Sequence, residues 1–246
     1  MRVSVVTVCF NAEMSIKETI QSVRAQNHYD VQHIIKDGIS TDNTISIIKE
    51  QNKDNSIKLI INEDEGIYDA MNIGLKEANG EIVCFLNSDD KFTDSKVLEK
   101  VVDTFKKNKS DYVYGNIRMV NQKGIIRRIW KSPEIKKGIF FSQLPHPAFF
   151  VKKNVLDDLS PAFDAKYEIA ADLKQQLMIC GNVNLKSTYI DSSLVNMALG
   201  GKSTRNLKSI MIGWYESRKA FNEVNGSGGL FFVFIKVLRK IFQLRL

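Results

Sequence analysis

Proline is scarce in this chain of 246 residues. Its four prolines, beside fourteen glycines, exclude a proline-rich spacer or a collagen-like repeat. Cysteine is scarcer still. Cys9, Cys84 and Cys180 are odd in number, far apart, and form no CxxC pair. That excludes a disulfide-stapled scaffold and fits a reduced intracellular protein whose thiols serve as small hydrophobic groups. No run approaches the roughly 20 apolar residues of a spanning helix. The opening MRVSVVTVCFN is too short and too strand-like to predict a signal peptide. No internal repeat is visible. What is present is an ordinary globular balance, 43% hydrophobic and 26% charged. The length predicts one large domain, or a domain with a small annex, able to bury its core without disulfides or structural metal.

The net charge of +7 is not spread evenly. From Lys202 onward stand nine basic residues and only Glu216 and Glu223 as acids, which is the whole excess. The first 201 residues are neutral, with 26 basic and 26 acidic side chains. A basic end on a neutral body predicts tethering or docking, not a nucleic-acid-binding body.

Hydrophobic patterning alternates between two periods. β-Branched apolar runs predict strands over residues 3–9, 31–36, 57–61, 81–86 and 111–115. Between them, apolar residues at helical spacing predict helices over 12–26, after Ser40 or Thr41 with Ile45 and Ile48, over 68–78, and around Val97, Val101 and Phe105. Further on, residues 117–120 and 125–129 predict a hairpin, 149–151 a short strand and 167–179 a helix. The run NGSGG, 225–229, predicts a flexible joint. Alternating strands and helices predict a doubly wound α/β sheet, whose ligands bind beyond the carboxyl ends of its strands. Asn11, Asp37, Asp64, Asp89 and Asp90 follow successive strands at those ends.

Two polar motifs stand out. LNSDD, 86–90, puts two adjacent acids after a buried strand, which is costly unless they meet water or a cation. Their hard oxygens suit Mg2+ or Mn2+, ions that commonly also take substrate phosphate oxygens. A turn or helix cap explains the same residues. In KDGISTDNT, Asp37 can hydrogen-bond a base or ribose, while a β-turn and N-cap account for Ser40, Thr41 and Asp42. The turn reading leaves unexplained why the two motifs end neighbouring strands.

The stretch NEDEGIYDAMNIGLKEANGEIVCFLNSDD, 62–90, together with SVVTVCFNA and IIKDGISTDNT, resembles family-2 glycosyltransferases of the GT-A fold. The likeness covers about residues 1–205 and is nearest to bacterial enzymes of capsule, O-antigen and colanic-acid-type polysaccharides. It implies a Rossmann-like, mixed, mostly parallel sheet flanked by helices. Residues 1–115 would form the nucleotide-sugar half, 116–205 the acceptor half of the same domain, and 206–246 a basic, amphipathic helical tail.

The resemblance also implies roles by position. Asp37 corresponds to the acid that recognises the base, with Val8, Phe10 and Asn11 around it, and Asp64 to a further nucleoside contact. The family's DxD motif falls on Asn87, Ser88 and Asp89, followed by Asp90. Asn87 replaces an acid present in many relatives, which leaves Asp89 as the first metal ligand and Asp90 as the second. Asp172 corresponds to the general base, which must take the acceptor's proton as its hydroxyl attacks. His146, in LPHPAFF, falls near the acceptor cleft. Gly200-Gly201-Lys202-Ser203 resembles a loop near the diphosphate, where Lys202 and Arg205 would offset phosphate charge.

The expected activity is an inverting, metal-dependent glycosyl transfer. A nucleotide-diphosphate sugar would be the donor, a saccharide hydroxyl on a lipid-linked carrier the acceptor, and bacterial surface polysaccharide the product. The alternative is a catalytically inactive nucleotide-sugar-binding protein of the same fold. No nucleic-acid partner is expected, because basic and aromatic residues do not interleave around the motifs. The last seventeen residues, LFFVFIKVLRKIFQLRL, would place Phe231, Phe234, Ile235, Leu238, Ile241 and Phe242 on one helical face and Lys236, Arg239, Lys240 and Gln243 on the other. That pattern predicts a helix lying in an anionic membrane interface, hence a cytoplasmic protein peripheral to the inner face of the cytoplasmic membrane.

Overall fold

The computed structural model describes residues 1–121, 123–135, 142–199 and 207–242. Its first half is β1 (Val3–Cys9), α1 (Ile16–Arg24), β2 (Val31–Asp37), α2 (Thr44–Gln51), β3 (Ile57–Ile61), α3 (Ile67–Lys76), β4 (Ile82–Phe85), β5 (Lys91–Phe92) and α4 (Val97–Asn108). β6 (Tyr112–Val120), β7 (Ile126–Trp130), a 3-10 turn (His146–Ala148), β8 (Phe149–Lys152), α5 (Lys153–Asp157) and α6 (Ala171–Gly181) follow. β9 (Ser187–Ala198), α7 (Leu207–Asn225) and α8 (Gly229–Phe242) complete the described chain.

Among the described residues the strands form one nine-stranded sheet in the order β3-β2-β1-β4-β8-β6-β9-β5, with β7 paired to β6. β1 runs parallel to β2 and β4, and β2 parallel to β3. All four therefore end on one edge. Beyond β4 the pairing turns mixed: β8 is antiparallel to β4 and β6, and β9 is parallel to β6. This is the expected mixed, mostly parallel, helix-flanked sheet.

The period of two in β1 sorts its side chains between faces. Val3 and Val5 pack with Val97, Leu98 and Val101 of α4, and Val6 and Val8 with Met71 and Leu75 of α3. Burying each such side chain contributes about 1.5–3 kcal/mol. α3 lies close on β1 because Gly74 has no side chain: a Cβ there would stand 2.5 Å from Cγ1 of Val6.

The second half departs from the sequence expectations in four places. Residues 111–115 and 117–120 belong to a single strand, β6, whose register with β9 shifts at Gly115/Asn116 and Asn116/Ile117. β9 was not anticipated, because STYIDSSLVNMA has neither clean alternation nor a buried run. The helix expected over 167–179 begins only at Ala171, because the preceding backbone N–H groups are engaged elsewhere.

The fourth departure is the joint at 225–229, which is a packed turn. Asn222 accepts the Gly226 amide on its carbonyl (2.8 Å) and the Gly229 amide on its side chain (2.8 Å). Phe221 stacks on Phe232 with centroids 4.6 Å apart. Lys236, expected on the outer charged face, reaches back to the Ser217 hydroxyl (2.9 Å). α7 and α8 thus form an antiparallel hairpin, not a body with a swinging tail.

Candidate active site

The carboxyl edge of β1–β4 gathers the acids that the sequence singled out. After β1, Phe10 is 62% exposed and Asn11 adopts φ 50. That left-handed conformation is held by the neighbouring loop: Asn11 accepts the Thr41 amide on its side chain (2.9 Å), and its own amide donates to the Ser40 hydroxyl (2.9 Å). The loop after β2 is strained too, with Ile39 at φ 62. Each such residue costs about 1–3 kcal/mol and persists only where its surroundings impose it. Val8 turns its side chain into the core beneath α3. Phe10, Ile39 and Ile61 are exposed apolar groups at this edge.

Asp37 lies under this surface, fully buried. Its carboxylate accepts the Ser40 amide (2.7 Å) and hydroxyl (2.7 Å), and the Cys9 thiol stands 3.3 Å away. Burial, then the charge of Asp37, pushes the Cys9 thiol well up, so it stays protonated. Asp37 therefore fixes the shape of the two loops from below.

Lys36 joins Asp37 to Asp64. Its ammonium is inaccessible to solvent and donates to the carbonyls of Asp37 (3.1 Å) and Asn62 (2.8 Å) and to the Asp64 carboxylate. All three donors are satisfied, as a buried charge requires. Asp64 also accepts the Gly66 amide (3.1 Å), which places it at the entrance to α3. Sequence reasoning passed over Lys36. Its signal was a lysine inside the otherwise apolar end of a strand, directly before the acid of interest.

Asn87–Asp90 forms a tight turn after β4. The Asp90 amide donates to the Asn87 carbonyl (3.0 Å). The Thr19 hydroxyl lies 2.9 Å from the Ser88 carbonyl and 2.8 Å from that of Asp90. Asp89 is exposed at the rim. Asp90 is 1% exposed, and neither of its carboxylate oxygens has a hydrogen-bond partner, nor has the side-chain oxygen of Asn87. Burial and then the Asp89 charge drive the Asp90 carboxyl well above the usual carboxylate range, and partial desolvation by the protein beside it raises the rim carboxyl of Asp89 as well.

Such an arrangement is costly for a turn alone. It is the kind of donor set that a hard dication takes: two carboxylates and an amide oxygen. The residues therefore fit Mn2+ or Mg2+. Among the described residues there is no group of three or more His, Cys, Asp or Glu side chains that could enclose a metal. Protein ligands alone would leave such an ion partly open.

Asp172 sits half-buried in the first turn of α6. The Tyr68 hydroxyl, from α3, donates to the Ile169 carbonyl (2.6 Å) and lies 3.2 Å from Oδ1 of Asp172. Burial, then the Asp172 charge, holds the Tyr68 phenol well above its usual value, so it remains a donor. From α7 the buried Glu216 carboxylate accepts the amides of Glu168 (2.7 Å), Ile169 (2.8 Å) and Ala170 (2.9 Å). Tyr68 and Glu216 were both missed by sequence reasoning.

His146 is buried, stacked on Phe85 at 5.5 Å and edge-on to Phe163 at 5.6 Å. Burial keeps its ring neutral by lowering its pKa, a trend that the Asp172 charge opposes. Lys202, with the surrounding glycine loop and Arg205, lies outside the described residues.

The sequence profile described as Glycosyl transferase family 2 matches residues 4–160, more than half of the chain and all of β1–β4 but Val3, with their loops. The chain belongs to that family. An Escherichia coli relative, UDP-Glc:alpha-D-GlcNAc-diphosphoundecaprenol beta-1,3-glucosyltransferase WfgD, is 35% identical over 125 residues, which cover 50% of this chain and 49% of the relative. A Mycobacterium tuberculosis PGL/p-HBAD biosynthesis glycosyltransferase is 26% identical over 190 residues, 76% of this chain and 73% of the relative. The chain thus spans about half the length of the first of these relatives. Among solved structures, Staphylococcus aureus TarS 1-349 in complex with UDP-GlcNAc superposes with a TM-score of 0.69 at 20% identity, covering 89% of this chain and 65% of that one. Mannosyltransferase PcManGT from Pyrobaculum calidifontis, in complex with GDP-Man and Mn2+, gives 0.67 at 16% identity, covering 92% and 65%. These likenesses show a shared GT-A fold.

Proposed function

We propose that the chain transfers a sugar from a nucleotide-diphosphate sugar to a hydroxyl of a saccharide acceptor, with inversion at the anomeric carbon. The observation that carries this reading is the Asn87–Asp90 turn, where the buried carboxylate of Asp90, directly after the stretch that resembles the family's DxD motif, has no hydrogen-bond partner of its own. The base and ribose of the donor would lie over Phe10, Asn11 and Asp64, on loops shaped by Asp37. Bound at Asp89 and Asp90, Mn2+ or Mg2+ would offset the charge gathering on the departing nucleoside diphosphate. Asp172 takes the proton of the acceptor hydroxyl as its oxygen attacks. One in-line displacement inverts the centre; retention by double displacement would need a carboxylate nucleophile at that carbon.

The acceptor is read as a lipid-linked saccharide and the product as bacterial surface polysaccharide. The E. coli relative, a glucosyltransferase named for its diphosphoundecaprenol-linked acceptor, supports this. The protein would then work in the cytoplasm, against the inner face of the membrane. The test is a panel of UDP-, GDP- and dTDP-sugars, scored by thermal shift with and without Mn2+, because a ligand that binds only the folded state raises its stability. A single nucleotide class should stabilise the protein, more so with Mn2+, and the product of that donor should carry the inverted anomer by NMR. No stabilisation by any member, or a retained anomer, sinks the reading.

A further inference from the structure

The C-terminal helices present side chains for which the transfer reaction has no use. On α7, Leu207, Met211, Trp214 and Tyr215 are 79%, 66%, 47% and 67% exposed. On α8, Leu230, Phe234 and Leu238 are 67%, 59% and 38% exposed. Their spacing of three or four residues makes one stripe along each helix. A different stripe does the packing: Glu216, Ser217, Ala220 and Phe221 of α7 are buried, as is Phe232 of α8. The inward contacts Phe221–Phe232 and Ser217–Lys236 fix the hairpin as one unit and set Trp214 and Tyr215 alongside the second half of α8.

The exposed charge on the two helices is mostly positive. Lys208, Arg218 and Arg239 are exposed on the two helices. Among the described residues the acids of the two helices are already engaged: Glu216 is buried on three backbone amides, and the exposed Glu223 pairs with Lys174 and the Tyr167 hydroxyl.

We propose that the α7–α8 hairpin is a docking surface for an anionic lipid bilayer, with both helices lying along the interface. An apolar stripe flanked by cations matches the boundary between headgroups and acyl chains. Trp and Tyr are the side chains that favour that depth. No helix among the described residues is long and apolar enough to cross a membrane, so insertion would be shallow. A second copy of the chain is the poorer occupant, because it would bring an equal positive charge to the same face.

The partner named here rests on the reading that the acceptor is held in a membrane; the surface itself is read from exposure and charge. Because Glu216 on α7 also clamps the segment before Asp172, the helix that carries part of the docked face also holds the chain leading to the proposed base on α6.

The chain has two tryptophans, so Trp130→Phe leaves Trp214 as the sole reporter. Its emission should shift to the blue with vesicles of phosphatidylcholine and phosphatidylglycerol, and the shift should reverse at high salt. Vesicles of phosphatidylcholine alone should give little shift. In the full chain, Met211→Glu with Phe234→Glu should cut flotation with anionic vesicles by about tenfold or more, since each change removes an apolar contact and adds a repelled charge. The same variant should keep its melting temperature and its transfer to a soluble acceptor analogue. Unchanged Trp214 emission, or equal flotation of the variant, overturns the proposal. A blue shift that grows with protein concentration without vesicles overturns it in favour of a second copy. Loss of transfer to the soluble analogue in the wild-type chain, with vesicle binding intact, would instead sink the transfer reading and leave the docking surface standing.

Discussion

The carboxylate of Glu216 lies 2.9 Å from the backbone nitrogen of Ala170, the residue that precedes α6. With the amides of Glu168 and Ile169 it takes three consecutive N–H groups that no helix satisfies. A buried carboxylate can do this because hydrogen bonds to a charged acceptor contribute about 1.5–3 kcal/mol each. Glu216→Gln keeps the volume but replaces one acceptor oxygen by a donor aimed at other donors. It should destabilise the protein by about 2 kcal/mol or more in urea unfolding. It should also lower kcat while the KM for the donor stays within error, because Asp172 loses its fixed approach. A KM for the donor that rises in step with the fall in kcat would show that Glu216 serves donor binding instead.

Asp172→Asn should keep donor binding and lose transfer. Positioned proton removal contributes about 10²–10⁴-fold to rate, so kcat should fall at least that far. Tyr68→Phe leaves Asp172 in place but removes the hydroxyl 3.2 Å from it, and should cost less. Calorimetry with the donor nucleotide separates the roles. If the affinity of Asp172→Asn collapses with its turnover, the base lies elsewhere.

Much of the fold could be read locally, because β1–β4 are runs of β-branched residues whose burial needs no distant partner to be foreseen. The family motifs at their ends were legible for the same reason: each is a short, contiguous string. What escaped is long-range. Glu216 is 46 residues from Ala170, and Tyr68 is 104 from Asp172. Nothing near either residue in sequence announces its partner. β9 escaped because half-buried strands carry polar residues on both faces, and its pairing with β6 is decided by β6. The reading of 225–229 as a joint followed glycine content, whereas Asn222 and Phe221 turned those glycines into a packed corner.

His33, in β2, supplies a pH dependence that owes nothing to catalysis. It is buried beside the Thr7 hydroxyl (3.1 Å), and burial, then the Arg24 charge, lowers its pKa from 6.5 to about 3. The folded protein therefore refuses a proton that the unfolded chain takes up below pH 6.5. Stability should be lost as pH falls from there towards 3, by up to about 1.4 kcal/mol per pH unit. The buried His146 acts in the same direction. Urea midpoints measured from neutral pH downward should fall, and His33→Gln should flatten the slope by about one proton. Equal slopes would mean that the ring is protonated in the fold.

The strongest separation of metal from scaffold comes from Asp90. Its carboxyl is raised by burial and by Asp89, so the fold disfavours its charged form. A folded-state pKa above the unfolded one means that the folded chain holds a proton that the unfolded chain has released. In the absence of metal, Asp90 should therefore subtract stability as pH rises from the unfolded carboxyl value through the raised one. Asp90→Asn removes that burden and should melt higher than wild type without metal at neutral pH. A dication reverses the balance by pairing the buried charge. Wild type should gain melting temperature with Mn2+ and donor, and gain more as pH rises, because binding must displace the proton. Asp90→Asn should gain little. Asp89→Asn should likewise lose metal-dependent turnover, since a neutral amide is a poor ligand for a hard ion carrying diphosphate. Differential scanning fluorimetry of the three proteins, with and without Mn2+ across pH, decides the matter. If Asp90→Asn melts lower than wild type without metal and still gains fully with Mn2+, Asp90 is a structural carboxylate and the ion binds elsewhere.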